Sequence, residues 1–156
     1  MDKHSIGSLI TDLSLPTIAA HWRSLTVPQL LKSQVNHVYA MDCPEQAAIL
    51  RLTHSSQRSE DLIRGELEWI EFLAARDIAV SHPLRTRDDR LTLRLDYGDT
   101  YFTATAFAKA PGALISTKDP AVWNADLMVQ WGTLLGRIHA LTHRYAPSSP
   151  ALKRPT

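Results

Sequence analysis

With 156 residues, 44% of them hydrophobic and 21% charged, the chain carries enough apolar material for one folded core and is not a disordered polymer. Its 17 basic and 16 acidic residues leave a formal net charge of +1, which argues against general electrostatic attachment to nucleic acid or to an anionic membrane. The lone cysteine, Cys43, has no partner for an internal disulfide, and no run approaches the roughly 18 apolar residues of a membrane span. The opening residues alternate polar and apolar instead of forming a signal-peptide core. A cytoplasmic location, with no nucleic-acid or membrane partner, is the expectation.

Residues 1–29 read as a helical lead-in, with short helices over 8–14 and 17–25, the second opened by Pro16-Thr17 and closed off by Pro28. From residue 30 the pattern turns strand-like. Gln34 to Met41 and Ala47 to Thr53 are extended runs joined by Asp42-Cys43-Pro44-Glu45, which predicts an antiparallel hairpin. Ser59 is placed to cap a long helix over 59–76, with Glu60 and Asp61 in its first turn complementing the helix dipole. Val80-Ser81-His82-Pro83 must extend or turn before its proline. Leu91 to Leu95 and Tyr101 to Phe107 then read as two more strands around Tyr97-Gly98-Asp99.

After Ala110-Pro111-Gly112 the chain loops to Asp119-Pro120, a cap followed by proline, and a second long helix is expected over 121–143. Its apolar positions Leu127, Met128, Trp131, Leu134, Leu135, Ile138 and Leu141 keep helical spacing. The expected divisions are thus a lead-in at 1–29, a strand-and-helix unit at 30–110, a connector and helix at 111–145, and a proline-rich linker or disordered tail at 146–156.

One residue is out of place in this pattern. On a helical wheel Leu62, Ile63, Leu67, Trp69, Ile70, Leu73 and Ala74 all fall within about 100° of Glu66, so that carboxylate sits in the buried stripe. A buried carboxylate needs a cation. Arg51, inside the apolar run Ala47 to Thr53, is the nearest upstream candidate. From the residues alone the pair is either a structural strand-to-helix ion pair or the device by which two-lobed kinases hold nucleotide phosphates.

Other constellations carry less. His139 and His143 share a helix face, but no base glutamate follows His139 and no third ligand is evident, so no metal site is expected. Arg85, Arg87 and Arg90 are interleaved with Asp88 and Asp89, the mark of a solvated loop. Gly132 and Gly136 allow close helix packing, and Trp22, Trp69, Trp123 and Trp131 suit core or interface positions.

Several words, taken in order, identify a family. Val35-Asn36-His37-Val38-Tyr39, Ile49-Leu50-Arg51-Leu52, Gly65-Glu66-Leu67-Glu68-Trp69, Phe107-Ala108-Lys109-Ala110-Pro111-Gly112 and Leu135-Gly136-Arg137-Ile138-His139-Ala140-Leu141-Thr142 together resemble the bacterial phosphotransferases of the aminoglycoside phosphotransferase and choline kinase group. The resemblance implies an α+β, kinase-like N-lobe with an antiparallel sheet and one long packing helix, followed by a hinge and the first helix of a truncated C-lobe. It also implies ATP as the nucleotide, with Arg51 on its phosphates, Glu66 orienting Arg51, Phe107, Ala108 and Ala110 forming the hinge on adenine, and Asn36 following the phosphate-covering loop. Lys32-Ser33-Gln34 lacks the glycines that usually let such a loop approach phosphate.

The family's His-Gly-Asp catalytic word is absent, and after Gly112 the only carboxylates are Asp119 and Asp126, both at a helix start. No catalytic or metal-binding residue is therefore assigned. Magnesium is expected only with the missing lobe, and the chain is expected to be truncated and inactive alone. Two functions follow: the ATP-binding lobe of a small-molecule phosphotransferase, or a non-catalytic module that meets the missing C-lobe or a second copy through helix 121–143.

Overall fold

The computed structural model describes residues 14–112 and 115–152; the expected helix at 8–14 lies almost wholly outside them, and the end of the tail lies outside them too. In chain order the described elements are α1 (Leu15–Ala20), β1 (Gln29–Ser33), β2 (His37–Asp42), β3 (Ala47–His54), α2 (Glu60–Ala74), β4 (Pro83–Leu84), β5 (Leu93–Tyr97), β6 (Thr100–Ala108), α3 (Ala125–Thr142) and a 3-10 turn at Pro150–Leu152. The strands make one antiparallel sheet in the order β1-β2-β3-β6-β4, with β5 also on β6. The long β6 is shared along one edge, β5 taking Thr100 to Ala104 and β4 taking Ala106 and Phe107.

Alternation along β3 and β6 divides the sheet into two unlike faces. Ala48, Leu50 and Leu52 of β3, Tyr39 and Met41 of β2, and Phe102, Ala104 and Ala106 of β6 pack with Ile18 and Ala19 of α1 and with Trp22 in the turn after it into the apolar core. The intervening positions mix one apolar pair, Ile49 opposite Phe107, with two polar ones: Arg51 lies opposite Thr105 and Thr53 opposite Thr103. That second face is the one α2 meets, because Arg51 reaches Glu66 across the gap.

The two expected hairpins and the long helix are where the sequence put them. Cys43 and Gln46 exchange backbone hydrogen bonds to close the β2–β3 turn. Ser59 Oγ accepts from the Leu62 amide to cap α2, which buries Ile63, Gly65, Leu67 and Leu73.

Four boundaries differ from expectation. The helix expected over 17–25 spans Leu15–Ala20: Arg23 takes a left-handed φ of 58° and the Ser24 amide bonds back to the Ala19 carbonyl, a helix-ending geometry. The extended run expected from Gln34 is split by a reversal, with the Gln34 amide on the Asn36 carbonyl, and β1 precedes it. All five β1 residues are exposed, so the strand carries no burial pattern to be read. The final helix starts later than 121, because Asp119 Oδ1 caps a separate turn at Ala121 and Asn124 Oδ1 caps α3 at Leu127. The tail expected to be a linker is instead packed on α2 as far as Leu152, which is buried.

Candidate functional site

Strand β3 presents Arg51 on the polar face of the sheet, and α2 presents Glu66 to it one element later. Arg51 Nη1 donates to Glu66 Oε1 at 2.9 Å, and both side chains are only 17% exposed. Arg51 Nε donates to Thr105 Oγ1 at 3.3 Å, and the guanidinium stands over the Phe107 ring, 4.9 Å from its centroid. The pair, its threonine and its ring therefore fix the orientation of the arginine. Its remaining nitrogen, Nη2, is buried without a hydrogen-bond partner among the described residues. A buried charged donor left unpaired is costly, and this edge of the guanidinium has room in its hydrogen-bonding capacity for an acceptor.

Glu66 answers a second cation. Its Oε2 accepts from Arg58 Nη1 at 2.8 Å, from the loop just ahead of the α2 cap. Arg58 is 56% exposed, so this outer pair is screened and weaker than the inner one.

Asn36 sits at the β1–β2 reversal and accepts from the buried hydroxyl of Thr53 at 2.9 Å, which ties the hairpin end to the same sheet face as Arg51. Phe107 and Ala108 close β6. The Ala108 amide donates to the His82 carbonyl at 2.8 Å and the Lys109 amide to the Ala47 carbonyl at 2.9 Å, after which Lys109 to Gly112 are exposed and leave the sheet. Of the backbone groups expected to face a base, the Ala108 N–H is therefore already engaged. Its carbonyl and the Ala110 amide lie where the strand gives way to the connector.

Arg51, Glu66 and Phe107 thus come together, Asn36 joins through Thr53, and Ala108 and Ala110 lie further along the strand that carries Phe107. Arg58, Thr53 and Thr105 were missed by reasoning from sequence. The readable signal for the threonines was polar residues at alternate positions of an otherwise apolar strand; Arg58 carried none, since only the loop path brings it to Glu66.

Two concave surfaces lie elsewhere. One of about 290 Å³ is lined by the end of α1, the Cys43 turn and Leu84 to Arg87, and one of about 640 Å³ runs between α2 and residues 85–94. Neither includes Arg51 or Glu66, so the chemistry of the buried donor, not enclosure, marks the candidate site. Among the described residues no group of three or more His, Cys, Asp or Glu side chains is arranged to hold a metal ion, and no helix is long and apolar enough to cross a membrane.

No family model matches the sequence. Amicoumacin kinase of Bacillus subtilis (strain 168) is 34% identical over 127 residues, 81% of this chain and 37% of its own length. A solved amicoumacin kinase in complex with AMP-PNP, Ca2+ and Ami superposes with a TM-score of 0.84 at 25% identity, over 96% of this chain and 46% of that one. A microcompartment-associated aminopropanol kinase superposes with a TM-score of 0.72 at 21% identity, over 93% of this chain and 45% of that one, a likeness of fold. The chain thus spans less than half the length of each.

Proposed function

We propose that this chain, which is homologous to kinases of the aminoglycoside phosphotransferase type and folds as their N-terminal lobe, supplies the ATP-holding part of a small-molecule phosphotransferase. The observation that carries the reading is the state of Arg51: two of its nitrogens are held by Glu66 and Thr105, and the third is buried with no hydrogen-bond partner among the described residues. A guanidinium locked in this way offers a charge-assisted donor to a phosphate oxygen without first losing rotamer freedom. Glu66 orients Arg51, and Arg58 steadies Glu66 from outside. The Ala108 carbonyl and the Ala110 amide would take the purine, with Phe107 beneath and Asn36 at the hairpin end over the phosphates.

ATP supplies the γ-phosphoryl group, which a complete enzyme moves to a hydroxyl of a small molecule. The base and the magnesium ligands for that transfer would belong to the part of a full-length kinase that this chain does not span, so the chain alone would be silent in catalysis. In this scheme residues 30–110 are the lobe and hinge, 111–145 the connector and first helix of the next lobe, and the cytoplasm is its setting.

The test is calorimetric titration of ATP and of ADP, with and without magnesium, into the wild-type chain and Arg51→Ala. Saturable binding that disappears in the variant supports the reading. No heat at millimolar ATP refutes it.

A second reading has its own observation. Helix α3 buries none of its residues, and Val129, Trp131 and Leu135 are 68%, 44% and 54% exposed. That surface would dock the remainder of a kinase or a second copy of this chain. Concentration-dependent association in sedimentation equilibrium, with no response to nucleotide, would favour a non-catalytic module over the ATP-holding lobe.

A further inference from the structure

The segment that follows α3 returns to α2 and grips one stripe of it. The Ser148 amide and hydroxyl both donate to the Glu68 carboxylate, at 2.7 and 2.9 Å. Leu152 is buried, and its carbonyl passes so close over Gly65 that a Cβ built there would overlap the oxygen. Tyr145 tilts against Phe72 with ring centroids 5.1 Å apart. Gly65, Glu68 and Phe72 follow each other at three- and four-residue spacing, so the three contacts run along one line of the helix.

Glycine in a helix interior is unfavourable relative to alanine, and the passage of Leu152 is the reason for one here. The same helix turn carries Glu66. On the sheet side α2 is tied by the Arg51–Glu66 and Arg85–Glu71 ion pairs; the returning segment holds it from another side. The helix is therefore clamped between two surfaces, one residue from the carboxylate that orients Arg51.

We infer that residues 145–152 act as a strap that sets the lie of α2 and, through it, the Glu66 carboxylate. Gly65, Glu68, Ser148 and Leu152 are then positioning residues for phosphate recognition, a role that rests on the nucleotide reading above. Loss of the strap lets α2 shift and Glu66 release Arg51, which weakens contact with phosphate while leaving the purine contacts at the end of β6 untouched.

The test uses the whole chain and two variants that loosen the strap from different ends. Gly65→Ala raises the intrinsic propensity of the helix, while the new methyl meets the Leu152 carbonyl and displaces the segment; Glu68→Ala tests the same strap without that overlap. Glu68→Ala releases Ser148. Hydrogen exchange is followed at the α2 amides from Leu62 to Glu68, and ATP and adenosine are titrated in parallel. Both variants are expected to exchange faster over that stretch and to bind ATP about five- to tenfold more weakly, with adenosine affinity unchanged; Glu68→Gln, which still accepts from Ser148, should restore most of the loss. Faster exchange with unaltered ATP affinity would overturn the positioning role, and so would an equal loss for adenosine. If the wild-type chain binds no ATP, the nucleotide reading falls by itself, and exchange then decides the strap: α2 amides as protected in both variants as in wild type would dispose of it.

Discussion

Replacing Glu66 with glutamine keeps the shape of the side chain and removes its charge. In the structure one carboxylate oxygen serves Arg51 at 2.9 Å and the other serves Arg58 at 2.8 Å. Exposed ion pairs contribute about 0–1 kcal/mol, whereas stripping one partner from a buried pair costs about 3–5 kcal/mol. The inner pair, at 17% exposure, lies between these limits. Arg51 keeps its contacts with Thr105 and the Phe107 ring, and the amide oxygen of glutamine still accepts one hydrogen bond. A cost of about 2 kcal/mol follows, roughly 0.5 kcal/mol of it from the exposed Arg58. For a domain of this size that is a fall in Tm of about 4–8 °C. Urea unfolding of wild type, Glu66→Gln, Arg51→Met and the double variant measures the coupling directly, with Arg58→Ala as the control for the outer pair. A coupling of about 1–2 kcal/mol between residues 51 and 66 is expected, and Arg58→Ala should stay within about 0.5 kcal/mol of wild type. Strictly additive single effects would refute the account, since they would mean that Glu66 does not hold Arg51 in solution.

Two further outcomes concern titration. Burial lowers the pKa of His54 below its ordinary 6.5. The unfolded chain therefore takes up that proton first: stability is fully present above the unfolded value and is lost as pH falls below it toward the lower folded value. Urea unfolding at about pH 7.5 and about pH 5.5 should show this loss, and His54→Gln should flatten the slope; an unchanged slope would place the acid sensitivity elsewhere, His37 being the other histidine lowered by burial. Burial, and secondarily the neighbouring Asp42 charge, raises the Cys43 thiol above its ordinary value. Alkylation of Cys43 at neutral pH should be about fivefold or more slower than that of an unstructured cysteine peptide, as thiolate content sets the rate. Equal rates would show the turn to be open in solution.

What could be read from the residues was whatever depends on near neighbours. Ser59 marks the start of α2 because a side-chain cap acts three residues away. The hairpins β2–β3 and β5–β6 follow from alternation around short turns, and Glu66 stands out because helical geometry alone puts it among apolar residues; its pairing with Arg51 needed only the next element back. The hairpins, the long helix and the Arg51–Glu66 contact were legible on those grounds, whereas the kinase-like lobe was legible only through its resemblance to a family. The tertiary structure decided everything whose partner is distant or whose own pattern is too short. β4 spans two residues and exists through pairing with β6, and the wholly exposed β1 exists through its backbone bonds to β2. Arg58 meets Glu66 only because a loop folds back, and Thr105 meets Arg51, 54 residues away, only because β3 and β6 are in register. Residues 146–152 read as linker because prolines and serines carry no periodicity, yet they lie along α2 over a glycine that reveals its purpose only when Leu152 is in place. Short-range rules encode elements; which element closes on which is set by long-range burial and pairing, which leave no periodic trace in the chain.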